Sequence, residues 1–279
     1  MTALEKRIAR RMTRTIAAYG LVGPGDRVLV AISGGKDSYT LLDLLLRARR
    51  RAPFRFDLVA VHVDQGQPGY DGAPLRAYLE ENGIDHRIVR EDTYAVVRRV
   101  TPEGGTFCAA CSRLRRGVLY TAADRLGCNK IALGHHRDDA LETLLLNLFY
   151  GGRLAAMSAA YRTNDGRFEV IRPLIDCAED DIAAYASLRR FPILPCNLCG
   201  SQPDLARKRM KTLLAELERD HPVVREVMAT ALRNVQPRHL LDPRWTEHGP
   251  SPAAAERVPA AGGWGDGSRG PRRRLPLAR

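Results

Sequence analysis

Apolar positions Leu4, Ile8, Met12 and Ile16 recur on one stripe across residues 3–18, and basic residues fill the rest of the turn. That spacing predicts an amphipathic helix. Gly23 to Asp26 reads as a turn. The short apolar run Arg27 to Ile32 is typical of a strand buried on both faces. A glycine-rich loop follows, then a helical pattern from Ser38 to Arg50. Leu58 to Val63 predicts a second strand ending at Asp64, with 65–72 as loop. A helix over 75–81 and a strand from His86 to Val89 come next. Residues 101–111 read as loop and 112–126 as helix. Lys130 to Leu133 predicts a fourth strand ending at Gly134, and Asp138 to Phe149 an amphipathic helix. Phe168 to Ile171 predicts a fifth strand and 179–190 a helix. Pro192 and Pro195 then break the chain before helices over 203–219 and 222–235.

Strands alternating with helices predict an α/β fold, a doubly wound parallel five-stranded sheet with flanking helices. Ligands on such sheets bind at the carboxyl ends of the strands. The expected organisation is a basic helix over 1–22, a nucleotide domain over 23–190 and a smaller segment over 191–241. Beyond Asp242 Pro, Gly, Ala and Arg dominate and periodicity vanishes, which predicts a disordered tail over 242–279.

Composition narrows the class. No apolar run approaches the ~18 residues of a membrane span, and Glu5, Lys6, Arg7, Arg10 and Arg11 interrupt any signal-peptide core. The expectation is a cytoplasmic protein with no membrane partner. A formal net charge of +12 favours an anionic partner, with nucleic acid the first candidate. Arg113, Arg115 and Arg116, and later Lys208, Arg209 and Lys211, are candidate phosphate contacts. Solvated surface charge explains each of them singly.

The loop Ser33-Gly34-Gly35-Lys36-Asp37-Ser38 lies between a strand and a helix. Two glycines let the backbone approach phosphate oxygens, and the helix start favours an anion. Lys36 adds a full charge. Ser33 and Ser38 are hydroxyl donors, and Asp37 suits Mg2+. A simple glycine turn explains the glycines alone. The spacing is not that of a Walker A loop. G-H-H-R-D-D, Gly134 to Asp139, follows the fourth strand and places His135, Asp138 and Asp139 as proton-handling or Mg2+ groups. Asp138 taken alone is also an ordinary helix cap.

Four of six cysteines form two C-x-x-C pairs, Cys108/Cys111 and Cys196/Cys199. Such pairs suit zinc, an iron–sulfur cluster or a redox dithiol, and spacing does not choose among them. Cys128 and Cys177 stand alone and read as structural.

The Ser33–Ser38 loop resembles the PP-loop of the ATP pyrophosphatase superfamily, whose members cleave ATP between the α and β phosphates. Asp64 and Gly134 to Asp139 match positions near the nucleotide in that superfamily. The longer strings T-F-C-A-A-C-S-R-L-R-R-G, P-C-N-L-C-G-S-Q, D-Q-G-Q-P-G and G-H-H-R-D-D are similar to the tRNA-cytidine 2-sulfurtransferase family. The similarity runs from Leu4 to Leu241, with Gly66 where the family pattern has lysine. It implies ATP and Mg2+ as cofactors, with Lys36 and Asp37 in catalysis. Ser33, Gly34, Gly35, Ser38, Asp64, Gly134, His135 and Asp139 would join them around the nucleotide. It further implies a [4Fe-4S] cluster on Cys108, Cys111 and Cys199, a tRNA substrate thiolated at cytidine 32, a cysteine desulfurase as sulfur donor and a homodimer. A uridine tRNA thiolase and a lysidine synthetase of the same superfamily are the competing readings. A non-catalytic ATP- and metal-binding regulator is a third.

Overall fold

The structure, a computed structural model, describes residues 1–100, 107–194 and 205–245. The side chains at 100, 107–110, 205 and 243 lie outside that description. The strands are β1 Arg27–Ala31, β2 Asp57–Asp64, β3 His86–Arg90, β4 Lys130–Ala132, β5 Ala160–Arg162 and β6 Glu169–Ile171. The helices are α1 Ala3–Tyr19, α2 Lys36–Arg49, α3 Ala73–Glu81, α4 Thr93–Val100, α5 Phe107–Arg125, α6 Arg137–Tyr150, α7 Glu179–Arg189, α8 Leu205–Asp220 and α9 Val224–Ala231.

The strands form one sheet in the order β3-β2-β1-β4-β6-β5. All pairs are parallel except β5 with β6. The doubly wound parallel architecture is as expected, but the sheet has a sixth strand. β5 is only three residues long and carries no alternation to read. Its turn, Asn164-Asp165-Gly166, brings Thr163 N–H to the Phe168 carbonyl at 2.9 Å, with Gly166 at φ +69°.

β1 runs Val28-Leu29-Val30, all fully buried. Val28 and Val30 face a core shared with α1, α2 and α7, whereas Leu29 joins Val59, Val61, Ile131 and α5 on the opposite face. This two-sided burial is why the strand reads as a continuous apolar run. In α1, Ile8 and Met12 of the expected stripe are buried. Thr2 and Glu5 form a capping box at its start, and Gly20 at φ +60° ends it.

Two local expectations change. α4 falls where no helix was expected, in a short segment half of which is β-branched: Thr93, Val96, Val97 and Val100. α5 begins at Phe107, five residues earlier than the sequence indicated. Cys108 and Cys111 therefore sit on the first turns of a helix rather than in a loop. Arg113, Arg115 and Arg116 lie beyond the first turn, where the helix dipole no longer penalises them.

Met1–Arg233 form one compact unit and Asn234–Arg279 a second. The described part of the second holds two short 3-10 turns, Pro237–His239 and Pro243–Trp245. Residues 246–279, most of the expected tail, lie outside the described residues. No helix among the described residues is long and apolar enough to cross a membrane.

Candidate functional site

The order of winding across the sheet reverses between β1 and β4. From β1 the chain winds outward through β2 to β3, and it then returns to place β4 on the other side of β1. The crevice at such a switch point is where an open α/β sheet takes its ligand. The Ser33–Ser38 loop leaves β1 at that point, and Gly134 to Asp139 leaves β4 beside it.

The two loops touch through a glycine. A Cβ on Gly134 would lie 3.1 Å from the Asp37 carbonyl carbon and 3.2 Å from the Ser38 nitrogen. Only hydrogen fits against that backbone. Gly34 takes φ +85°, and a Cβ there would meet Leu194 Cδ1 at 2.8 Å. Leu194 N–H also donates to the Gly34 carbonyl at 2.9 Å. The serines shape the loop from within. Ser38 is buried, accepts from Ser33 N–H at 3.1 Å and donates to the Gly35 carbonyl at 2.9 Å, while Ser33 Oγ accepts from Gly35 N–H at 3.3 Å. No side chain caps the start of α2. Its first N–H groups are therefore available to an anion. A loop with Gly34 at positive φ, lying against Gly134 and backed by an uncapped helix start, fits the phosphates of ATP.

A chain of charges surrounds this cradle. Lys36 Nζ lies 2.9 Å from Asp37 Oδ1 and 3.2 Å from Glu179 Oε1. Burial opposes its charge, but the hydrogen bond and field of Asp37, with those of Glu179, outweigh it and raise the lysine above its ordinary range. Glu179 also holds Lys211 at 2.7 Å. His136 caps α6, with its ring nitrogen accepting from Asp139 N–H, and Asp139 returns the bond to His136 N–H at 3.0 Å. Its Nε2 lies 3.7 Å from Asp37. Arg207 reaches Asp139 at 3.5 Å and the buried Glu142 at 3.2 Å. Glu142 is pushed above the usual carboxylate range by burial. Glu179, Arg207 and Lys211 carried no sequence motif. α7 and α8 bring them in, and Lys211, still exposed, pairs with Glu179.

Asp138, the second residue after His136, plays no open role. It is 2% exposed, accepts from Glu179 N–H at 2.8 Å and pairs with Arg225 at 2.7 Å and Arg137 at 3.2 Å. It caps α7 rather than its own helix, because Ala178 at the start of α7 offers no capping side chain. His135 is held differently. Arg172 Nε donates to His135 Nδ1 at 3.3 Å, and Arg172 also donates to the Ser158 carbonyl at 2.7 Å. Burial first, and the Arg172 charge second, push His135 down to about 4. The ring is neutral at pH 7, with its proton on Nε2. Arg172 has no signature in the sequence.

Asp64 ends β2, one strand over from the loop, and accepts from Gly66 N–H at 3.0 Å. Gly66, at φ +69°, has a conformation a lysine side chain rarely allows. Gln65 follows, buried, and its Oε1 accepts from Cys111 Sγ at 3.0 Å. Arg115 donates to the same sulfur at 3.3 Å. Cys111 therefore stands at the edge of the sheet that holds Asp64. Its buried sulfur with a cation beside it suits thiolate ligation of a metal. Cys108 is three residues earlier on α5, but its side chain lies outside the described residues, as do Cys196 and Cys199. Cys128 and Cys177 are buried in the two cores as expected of structural cysteines, and burial pushes Cys177 up to about 12. Among the described residues, no group of three or more His, Cys, Asp or Glu is set to hold a metal ion.

A PP-loop domain family profile matches residues 4–194. The tRNA-cytidine(32) 2-sulfurtransferase of Anaeromyxobacter sp. (strain Fw109-5) is 57% identical over 242 residues, covering 87% of this chain and 80% of that one. Its counterpart in Methylococcus capsulatus is 56% identical over 241 residues, 86% and 83% of the two chains. Among solved structures, the U34-tRNA thiolase NcsA from Methanococcus maripaludis with its [4Fe-4S] cluster superposes with a TM-score of 0.67. That match covers 83% of this chain and 78% of that one at 22% identity, which shows a shared fold. With the PP-loop cradle at the switch point and relatives matching across most of its length, this chain belongs to the tRNA-cytidine(32) 2-sulfurtransferase family of PP-loop proteins.

Proposed function

We propose that the protein thiolates tRNA at C2 of cytidine 32, using ATP to activate the base. ATP lies in the crevice between β1 and β4, with phosphates on the Ser33–Ser38 backbone and the start of α2. The cytidine O2 attacks the α-phosphorus, the bond to the bridging oxygen breaks and pyrophosphate leaves. A sulfur nucleophile then adds at C2, and AMP departs with the former O2. Lys36 neutralises charge that builds on the phosphates. To do so it exchanges its contacts with Asp37 and Glu179 for phosphate oxygens. Asp37 and Asp139 are the carboxylates offered to a Mg2+ that arrives with the nucleotide, consistent with a metal held by few protein groups and the phosphates. His135, neutral and fixed in tautomer by Arg172, serves as an Nε2–H donor near the nucleotide.

Cys108, Cys111 and Cys199 are the proposed cluster ligands. A [4Fe-4S] cluster held by these three cysteines would supply an open coordination position for a sulfur ligand. The observation that carries this reading is the Gln65–Cys111 contact. It puts a cysteine of the first pair against the residue that follows Asp64, on the nucleotide edge of the sheet. The sulfur source in this reading is a cysteine desulfurase persulfide, whose outer sulfur a thiol reductant releases as hydrosulfide while the thiol is oxidised to a disulfide; the enzyme works as a homodimer, and its place is the cytoplasm. Residues 23–190 act as the nucleotide domain and 191–241 bring in the second cysteine pair.

Nucleoside analysis of tRNA from a deletion strain tests the reaction. Loss of 2-thiocytidine, restored by the intact gene, is expected; unchanged 2-thiocytidine with loss of a thiouridine would hand the chain to the uridine thiolases. Lys36→Met should lower thiolation by about 100-fold or more. A variant with full tRNA-dependent ATP–pyrophosphate exchange would remove Lys36 from the chemistry.

A further inference from the structure

Gln65 joins the nucleotide edge to α4 and to the cysteine helix α5. Its backbone carbonyl accepts from Tyr94 N–H at 3.2 Å, at the start of α4. Its side-chain Oε1 accepts from Thr93 Oγ1 at 3.3 Å and from Cys111 Sγ at 3.0 Å. All three side chains are buried. A cysteine that only fills space needs no such partners. Cys177 lies in the apolar core, and Cys128 meets the Leu126 carbonyl at 4.0 Å and the Arg27 side chain but no carboxamide.

The contact changes sense when the sulfur binds a metal. As a thiol, Cys111 donates to Oε1. As a metal ligand it carries no proton and attracts donors only. Arg115 is already one. A carboxamide can become a second simply by turning over, which puts Nε2 where Oε1 stood. The Thr93 hydroxyl then accepts instead of donating, because a hydroxyl does either. The two orientations of a Gln amide occupy the same space. The pocket is therefore satisfied with either end of the amide facing the sulfur.

We propose that Gln65 is a positioning residue for the iron–sulfur cluster, supplying the N–H donor to Cys111 that tunes the cluster's reduction potential and ties it to the end of β2. The inference rests on the reading that Cys111 ligates a cluster. A donor to a ligating sulfur stabilises the more electron-rich reduced form, so its loss lowers the potential. Partners of this outer kind contribute 10- to 100-fold to metal affinity.

The test compares wild-type protein with Gln65→Leu and Gln65→Glu after anaerobic reconstitution with iron and sulfide. Iron and acid-labile sulfide content, the rate of iron loss to a chelator and an EPR-monitored redox titration are measured. Gln65→Leu should show a lower midpoint potential, an altered EPR signal and roughly tenfold faster iron loss. Gln65→Glu should be worse, because an ionised carboxylate only accepts. Circular dichroism melts establish that the variants fold. If they do not, Thr93→Val decides: it leaves Cys111 untouched but frees the amide, and should shift the potential in the same direction by less. Potential, spectrum and chelator rate equal to wild type in the folded variants, or in Thr93→Val, overturn the inference and leave the cluster in place. A wild-type protein that takes up stoichiometric zinc and no iron overturns the underlying reading instead.

Discussion

Two residues illustrate how little space and charge separate a working site from a broken one. Gly134 has the Asp37 backbone against its Cα, and a methyl group there must displace the phosphate loop or the end of β4. Gly134→Ala should cost about 1–3 kcal/mol of stability and weaken nucleotide binding as well. Thermal melting and ATP titration check both, and a variant with wild-type values in each would mean that the loops do not touch in solution. His135 gives a pH signature. Its pKa is about 4 in the fold against about 6.5 in the unfolded chain. Between these values the unfolded chain binds one more proton, so stability rises with pH across that window, at most about 1.4 kcal/mol per pH unit. Stability from this group is complete above the unfolded pKa and lost as pH falls through the window. Arg172→Met removes the second cause of the depression but leaves burial, so the window should narrow from its lower end. The melting temperature of the variant should therefore change less than that of the wild type between pH 5 and pH 7. An unchanged pH dependence would show that Arg172 does not hold the ring neutral.

At the scale of elements, the site depends on helices that supply none of the legible motifs. α7 starts without a capping side chain, and Asp138 of α6 provides the cap from outside. The same carboxylate is pinned by Arg137 and by Arg225 of α9. Asp138→Asn would take one of two carboxylate partners from each of two buried guanidinium groups, Arg137 keeping Glu226 and Arg225 keeping Glu218, and should cost about 1–3 kcal/mol. Urea unfolding should report that cost, together with a drop in activity, since α7 also carries Glu179 to Lys36. A loss under 1 kcal/mol would show that the ion pairs are solvated. α8 packs Met210 and Leu214 against Leu141 and Leu145 of α6, and that seam aims Arg207 and Lys211 at the cradle. Arg137 apart, none of these partners is close in sequence to the group it serves.

Across the whole molecule, the charge of +12 predicts tRNA affinity that falls steeply with salt. Lys208 and Arg209 are exposed on α8, beside the site-facing Arg207 and Lys211. If both meet phosphate, replacing them with Glu should reduce the slope of log affinity against log salt by about 1.4–1.8. Fluorescence titration over a range of KCl concentrations measures it, and an unchanged slope would place the tRNA on another face.

The phosphate loop, Asp64, the Gly134–Asp139 string and the alternation of strands and helices were legible because each is a local rule. A buried strand must be apolar throughout, and a phosphate loop needs glycine where a Cβ would collide. β5 and α4 were missed for the converse reason: a short, half-exposed edge strand shows neither an apolar run nor a period, and a valine-rich helix contradicts its own propensity. Contacts between distant segments have no local signature at all. The cap that Asp138 gives α7, the hold of Arg172 on His135, and the reach of Gln65 to Cys111 exist only once the chain has folded. Residue type and spacing determined which chemistry this protein can hold. The tertiary structure alone decided which side chains face that chemistry and which are used to support it, because hydrogen bonds and buried charges depend on distances that only folding sets.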